Sequence, residues 1–179
     1  MLKTTALTDA LEAKIRLFPD FPKPGIQFQD LTPVFGQPSL VRRVAEAFTG
    51  AFQGEFDQVL AVEARGFILG TAVAIVSDRP LALARKTNKL PGPVHRADYA
   101  LEYGTATLEL QKDTLVPGER VLVVDDVLAT GGTLAAAREL ILGSDAVVAG
   151  YAVVTAIPGL QGQARLAPEQ VFSLLSASG

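Results

Sequence analysis

The sequence predicts an α/β fold in which helices flank both faces of a central, mostly parallel sheet. Short apolar runs typical of buried strands alternate along the chain with segments of helical periodicity. The length of 179 residues suits one compact domain, so we treat residues 1–179 as a single unit. A hydrophobic fraction of 49% with 20% charged residues is typical of a globular protein rather than a disordered one.

The first elements are a helix, a proline-rich connection and a second helix. Leu7, Leu11 and Ile15 recur at helical spacing, with Thr8 or Asp9 available as a cap. Residues 18–25 contain three prolines, which predict an extended, stiff path. Ser39 is the expected cap of the second helix. Its predicted apolar stripe is Leu40, Val41, Val44, Ala45, Phe48 and Phe52, with Arg42, Arg43 and Glu46 facing water.

The rest of the chain alternates strands and helices around one long loop. The predicted strands are Gln58–Val62, Leu81–Ala84, Thr105–Leu110, Arg120–Val124, Ala146–Val154 and Val171–Leu175. The predicted helices are Phe67–Val76 and Thr133–Leu142. Residues 85–104 show no clean period, which predicts a long loop that also holds the single histidine, His95, in solvent.

Charge and composition exclude several classes of function. The net charge of -3 disfavours a nucleic-acid partner, since such proteins normally carry basic excess. The absence of cysteine excludes disulfides, thiolate catalysis and thiolate metal sites, and it suggests a reducing cytoplasm. The N-terminus lacks an apolar run long enough for a signal peptide, and Ala146–Ala156 is too short to cross a bilayer, so we expect no membrane partner.

Residues 121–133 carry the strongest functional signal. An apolar strand is followed by Asp125 and Asp126, and then by a short loop that opens a helix. The N-terminus of a helix offers unpaired backbone N–H groups and partial positive charge to an anion. The predicted phosphate cradle consists of Ala129, Thr130, Gly131, Gly132 and Thr133. Neither the Walker A pattern nor the Gly-x-Gly-x-x-Gly dinucleotide pattern is present here.

The acidic pair restricts which phosphate compound suits this cradle. Two carboxylates repel a phosphate unless hydroxyls or a metal ion lie between them. A ribose 5-phosphate satisfies this condition, with the phosphate in the cradle, the 2′- and 3′-hydroxyls on Asp125 and Asp126, and Mg²⁺ nearby. The alternative is a solvated acidic turn after a core strand.

The segment closely resembles the motif with which type I phosphoribosyltransferases bind 5-phosphoribosyl-1-pyrophosphate (PRPP). Six further stretches match the adenine phosphoribosyltransferase family: Phe18–Gly25, Phe28–Asp30, Glu63–Phe67, Arg85–Gly92, Tyr99–Gly104 and Phe172–Leu175. The resemblance implies the type I phosphoribosyltransferase fold and a role in purine salvage. In that reaction the 5-phosphoribosyl group of PRPP is transferred to adenine, giving AMP and pyrophosphate.

The resemblance assigns the pyrophosphate to two segments. The loop from Glu63 and Ala64 to Gly66 would bind it through backbone N–H groups and Arg65, because a guanidinium binds phosphate in two places. Families of this fold often have a cis bond at the position of Glu63–Ala64, which we expect here. The alternative is an ordinary turn between a strand and a helix.

A mobile active-site loop is the second such segment, and the resemblance places it at residues 85–104. Its basic residues Arg85, Lys86 and Lys89 would neutralise the leaving pyrophosphate, while Tyr103 would close over the site. Glu102 would hold or relay the proton that adenine loses. For Lys89 a solvated basic loop, and for Glu102 a surface position at a strand edge, remain the alternatives.

The family's hood, which covers the base, and the N-terminal helix together correspond approximately to residues 1–36. Phe28 matches the ring that stacks on adenine, and Val127 would pack on its other face. Backbone groups near Gln27 and Gln29 would recognise the base. These two glutamines replace an apolar residue and an arginine that are usual in the family.

The resemblance also implies a metal ion and an oligomeric state, and two alternative functions accompany it. We expect Mg²⁺ to arrive with PRPP rather than on protein side chains, and the protein to be a homodimer. A transferase for another base and a non-catalytic PRPP-binding regulator remain open. The regulator is less favoured, because the chain has no spare length or basic patch for a nucleic-acid-binding segment.

Overall fold

A computed structural model describes residues 2–21, 23–25, 27–100 and 105–176. The described strands are β1 Arg16–Phe18, β2 Phe28–Asp30, β3 Gln58–Val62, β4 Leu81–Lys86, β5 Val94–Ala100, β6 Thr105–Gln111, β7 Arg120–Leu128, β8 Val147–Ala156 and β9 Val171–Ser176. The described helices are α1 Leu2–Glu12, α2 Thr32–Phe35, α3 Pro38–Ala51, α4 Gly66–Ser77, α5 Gly132–Leu142 and α6 Gly162–Arg165.

Seven of these strands form one sheet in the order β5-β6-β4-β3-β7-β8-β9. The run from β4 to β9 is parallel, while β5 and β6 extend it with antiparallel pairings. Strand β7 alternates between two cores: Val121 and Val123 face one that includes α5, and Leu122 and Val124 face one that includes α1, α3 and α4. The predicted mostly parallel sheet with helices on both faces is therefore confirmed.

The predicted loop over residues 85–104 is wrong for much of its length. Arg85 and Lys86 complete β4, and Val94–Ala100 forms β5 along the whole of β6. The reason is tertiary: Ala97 and Tyr99 point into the core beside α5, while their neighbours face outward. His95 accordingly lies half-buried in a strand and not in a solvated loop. Glu102 and Tyr103 lie outside the described residues, and the mobility of this region stays a prediction.

Two predicted helix caps are also wrong. Helix α1 begins at Leu2, so Thr8 and Asp9 lie inside it. Helix α3 begins at Pro38 after Gln37, and Ser39 lies in its first turn without capping it. Proline suits the first helical position because its fixed φ is already helical and it has no N–H to leave unpaired.

The hood contains a two-stranded antiparallel ribbon, β1–β2, rather than the extended path predicted for residues 18–25. Asp20 adopts a left-handed φ of 56° and its carboxylate accepts a hydrogen bond from the Gly25 N–H at 2.7 Å. The chain therefore turns back, and Phe18 comes opposite Phe28. None of the described helices has the length and apolar character needed to span a membrane.

Candidate active site

The candidate site lies where β3 and β7 end side by side. Each strand leads through a short loop into a helix, α4 and α5 respectively. Ligands of parallel sheets bind at this carboxyl edge. The loop after β3 is in close contact with β7: a Cβ added to Gly66 would lie 2.8 Å from the Val124 carbonyl oxygen and 3.0 Å from Asp125 Oδ1. A glycine is needed there because a side chain would push the first loop away from the acidic pair.

Asp125 and Asp126 lie inside β7, not beyond its end as predicted. Both are buried, with relative exposures of 9% and 5%. Asp125 Oδ1 accepts a hydrogen bond from the Asp126 N–H at 2.9 Å. Asp126 Oδ2 lies 2.8 Å from Arg65 Nε, yet it accepts no well-directed hydrogen bond from the described residues. The pair is therefore short of donors, and the alternative of a solvated acidic turn is wrong.

Burial controls the protonation of this pair. It raises the pKa of Asp125 well above the usual 3.8, and the neighbouring charge of Asp126 raises it further. Burial also raises the pKa of Asp126, although the Arg65 guanidinium opposes this. Such an arrangement is unfavourable in isolation, because a buried carboxylate needs donors or a cation. The hydroxyls of a ribose would supply those donors.

Arg65 brings the hood and the acidic pair together. Its guanidinium carbon lies 5.5 Å from the centre of the Phe28 ring, within the range of a cation–π contact. Phe28 also meets the edge of Phe21, with ring centres 5.1 Å apart. The structure thus gathers Phe28, Arg65 and Asp126 into one contiguous group, although the sequence places them in three distant segments.

The predicted phosphate cradle lies next to this group. Residues 127–134 line a cavity of about 70 Å³. Gly131 precedes α5 with a positive φ of 76°, a conformation that residues with side chains rarely adopt. The first N–H groups of α5 have no partners within the helix, so they are free to donate to an anion.

The predicted pyrophosphate loop follows β3. The peptide bond between Glu63 and Ala64 is cis, as expected. The Glu63 carboxylate turns away from the acidic pair and accepts hydrogen bonds from the Lys86 N–H at 2.9 Å and from Arg85 Nε at 3.4 Å. Arg85 Nη1 in turn donates to the Lys89 carbonyl oxygen at 3.2 Å. The basic segment is thereby joined to the loop.

Comparison with known proteins agrees with this geometry. Residues 36–174 match the model of the phosphoribosyl transferase domain. The adenine phosphoribosyltransferase of Renibacterium salmoninarum is 50% identical over 157 residues, which cover 88% of this chain and 86% of that protein. The chain belongs to the adenine phosphoribosyltransferase family.

Solved structures of this family share the fold. The enzyme from Rhodothermus marinus superposes with a TM-score of 0.90 at 43% identity, covering 97% of this chain and 99% of the other. The enzyme from Saccharomyces cerevisiae, solved with an imino-altritol bisphosphate and adenine, also gives 0.90 at 35% identity, with coverage of 96% and 99%. The type I phosphoribosyltransferase fold predicted from the sequence is confirmed.

The two glutamines that depart from the usual family pattern lie behind the hood ribbon. Phe28 of β2 faces Arg65, whereas its neighbours Gln27, just before the strand, and Gln29 line a separate cavity of about 250 Å³ together with Leu17 and Thr155. Alternation along the strand produces this division. The glutamine side chains therefore lie on the opposite face from Phe28.

Two residues that sequence reasoning missed lie close to these family features. Arg165 Nη1 would be 3.7 Å from a Cβ on Gly132, which places a cation beside the start of α5. Glu109 is buried in β6 against the segment that follows β4. Isolated charges at these positions resemble ordinary surface residues in the sequence, so no pattern singled them out.

Proposed function

We propose that this protein transfers the 5-phosphoribosyl group of PRPP to adenine, producing AMP and pyrophosphate for purine salvage. The observation that carries the proposal is the contact of Phe28, Arg65 and Asp126 beside the cradle at the start of α5. These features provide an aromatic face, a cation and a carboxylate next to an anion site. Relatives that bear the name adenine phosphoribosyltransferase support the choice of base.

Each part of PRPP has a complementary surface in this arrangement. The 5′-phosphate binds the backbone and hydroxyl donors of residues 129–133, and the ribose hydroxyls bind Asp125 and Asp126. The pyrophosphate binds the backbone of the Glu63–Gly66 loop. Its cationic partners are Arg65, Arg85, Lys86 and Lys89.

Adenine completes the site at the hood. Its ring stacks on Phe28 and packs against Val127, while the backbone at Gln27 and Gln29 binds its edge. In the reaction the bond between C1′ and the pyrophosphate oxygen breaks, and that oxygen keeps the electron pair. N9 of adenine forms the new bond to C1′ and loses its proton. We assign that proton to Glu102, with Tyr103 closing over the site.

Mg²⁺ fits this site as part of the substrate. Within the described residues, no group of three or more acidic or histidine side chains converges to hold a metal ion. The buried acidic pair is compatible with a cation arriving on PRPP, although the Asp126 oxygen that lacks a directed hydrogen bond already lies 2.8 Å from Arg65 Nε. Bound in this way, Mg²⁺ would neutralise charge on the pyrophosphate.

The deciding experiment incubates the protein with fresh PRPP, Mg²⁺ and adenine and identifies the nucleotide formed. We expect AMP and pyrophosphate, and loss of activity when a chelator removes Mg²⁺. Parallel reactions with guanine, hypoxanthine, uracil and orotate test the base. Formation of no AMP above background would reject the proposal, and a different nucleotide would favour the rival transferase.

A PRPP-binding regulator without catalysis is the second candidate. It predicts PRPP binding and a shift of nucleic acid in gels, with no AMP formed. We expect AMP to form and nucleic acid not to shift in gels, since the sequence has no basic patch for nucleic acid. Location in the cytoplasm stays a prediction.

We also propose that the protein acts as a homodimer. Ile75 on α4 is 74% exposed and Ile68 is 44% exposed. Ile75 borders an open apolar groove between α3 and α4, which also includes Phe35, Val41 and Val76. Such a surface suits a second copy of the chain. Light scattering after gel filtration should give about twice the mass of 18.9 kDa.

The role of Glu102 has its own test. Glu102→Gln is expected to lower kcat by roughly 10²-fold or more while changing the KM for PRPP little, because proton transfer contributes in the chemical step. A loss confined to the KM for PRPP would instead indicate a binding role.

A further inference from the structure

A buried carboxylate holds the basic segment that follows β4. Glu109 lies in β6, where its Cα partners are Arg85 on β4 and Arg96 on β5. Its side chain is only 1% exposed. The residues on either side, Leu108 and Leu110, are buried core residues. A charge in such a place is unfavourable unless donors surround it.

Three donors converge on this carboxylate. Oε1 accepts hydrogen bonds from Thr87 Oγ1 at 3.1 Å and from Arg96 Nε at 2.9 Å. Oε2 accepts one from the backbone N–H of Asn88 at 3.0 Å. Asn88 has a left-handed φ of 62°, so this hydrogen bond holds the chain at a sharp change of direction just after β4. The carboxylate thus determines where the segment leaves the sheet.

The same segment is held from its other side by Glu63. That carboxylate accepts the Lys86 N–H, while Arg85 donates to both Glu63 and the Lys89 carbonyl oxygen. The basic segment, residues 85–89, is therefore clamped between two acidic residues. Glu63 belongs to the proposed pyrophosphate loop. Glu109 lies on a different strand, and the donors to its carboxylate, Thr87, Asn88 and Arg96, are not among the residues proposed to bind substrate.

We infer that Glu109 is a positioning residue for the pyrophosphate end of the reaction. It holds residues 85–89 against the loop that starts at Glu63, so that the cations of the segment meet the pyrophosphate. This inference rests on the proposed function. It predicts that loss of the clamp affects the two pyrophosphate-containing ligands, PRPP and pyrophosphate itself, and leaves adenine binding unchanged.

Glu109→Gln tests the inference with little change of shape. In either orientation the amide NH₂ faces a donor, so at least one of the three hydrogen bonds is lost. The KM for PRPP, and the KM for pyrophosphate in the reverse reaction with AMP, should each rise roughly tenfold, the scale of a lost hydrogen bond to a charged group. The KM for adenine should stay within about twofold.

Two further variants isolate the clamp. Thr87→Val keeps the carboxylate and removes one donor, so the same two constants should rise by a smaller factor, roughly threefold. Asp98→Asn is the matched control: Asp98 is exposed on β5 and accepts only the Thr107 hydroxyl at 2.6 Å among the hydrogen bonds of the described residues. This control should leave all constants unchanged.

The outcomes separate the inference from the proposed function. If the wild type forms no AMP, the proposed function fails. If the wild type is active and both Glu109→Gln and Thr87→Val keep the normal KM for PRPP, the positioning role is overturned. Equal rises in the KM for adenine and for PRPP would overturn it too, because they indicate a general structural role. If Glu109→Gln does not fold, Thr87→Val decides.

Discussion

Two sets of aspartates in this molecule have opposite environments. Asp57 accepts hydrogen bonds from the Arg120 N–H, Nε and Nη2 at 2.7 to 3.0 Å, and these hold its pKa near 2 instead of 3.8. Asp30, hydrogen-bonded by Thr32 and Arg16, also has a pKa of about 2. Burial instead raises the pKa of Asp125 and of Asp126.

The two sets differ in the donors that the chain itself supplies. Donors from the chain itself surround Asp30 and Asp57, so their charged forms stabilise the native state. Asp125 and Asp126 are buried, so their charged forms are unfavourable without further donors or a cation. Unfavourable charges of this kind at a functional site commonly lower the stability of the protein.

The largest expected effect is on activity. Asp126→Asn should lower kcat/KM roughly 10- to 150-fold, because a charge-assisted hydrogen bond to a ribose hydroxyl contributes about 1.5 to 3 kcal/mol. Asp125→Asn should behave similarly, with the fold intact by circular dichroism. Asp57→Asn is the control, and it should keep the wild-type kcat/KM. Full activity of both site variants would make the acidic pair merely structural.

A smaller effect should follow from crowding the acidic pair. Gly66→Ala places a methyl group against the Val124 carbonyl and Asp125, so it should lower kcat/KM about tenfold and stability by about 1 to 3 kcal/mol. Gly50→Ala, in α3 with no atom within 4 Å of the new Cβ, should instead raise stability by about 0.5 to 1 kcal/mol. Urea unfolding and AMP assays of both variants measure the contrast. Equal behaviour of the two would show that the loop relaxes freely.

Replacing an aspartate by asparagine should change the stability of the protein in opposite directions at Asp125 and at Asp57. Asp125→Asn should raise the unfolding free energy of the ligand-free protein at pH 7 by about 1 kcal/mol, since it removes a poorly solvated charge while its oxygen can still accept the Asp126 N–H. Asp57→Asn should lower the melting temperature. Calorimetry on both proteins without ligand provides the test. A lower melting temperature for Asp125→Asn would mean that the native site stabilises that charge.

The smallest effect is the dependence of stability on pH. The lowered pKa of Asp57 means that its stabilisation is present above pH 3.8 and is lost as the pH falls through about 2. The raised pKa of Asp125 gives the opposite sign: stability is highest below 3.8 and is lost as the pH rises through the folded-state pKa. The stability difference between Asp125→Asn and the wild type should therefore grow with rising pH. A stability difference that does not change with pH would contradict the raised pKa of Asp125.

Local patterns made part of the structure predictable. The sequence predicts the strand Gln58–Val62 to the residue, because its five buried positions include an uninterrupted apolar run, Val59–Val62. The cradle followed from a strand, two glycines and a helix in order. Local sequence patterns of this kind do not predict strand β5. Its alternation depends on Ala97 and Tyr99 meeting a core built mostly from distant segments.

Residue types in local order predict the fold class, the family and the chemical groups of the candidate site, because each of these depends on short stretches of the chain. Tertiary structure alone decided how those groups meet. The contact of Arg65 with both Phe28 and Asp126 joins three segments far apart in the chain. The donors around Glu109 come from the connection that follows β4 and from the neighbouring strand β5. Burial and donor number set the charge state of a carboxylate, and both arise only when the chain has folded.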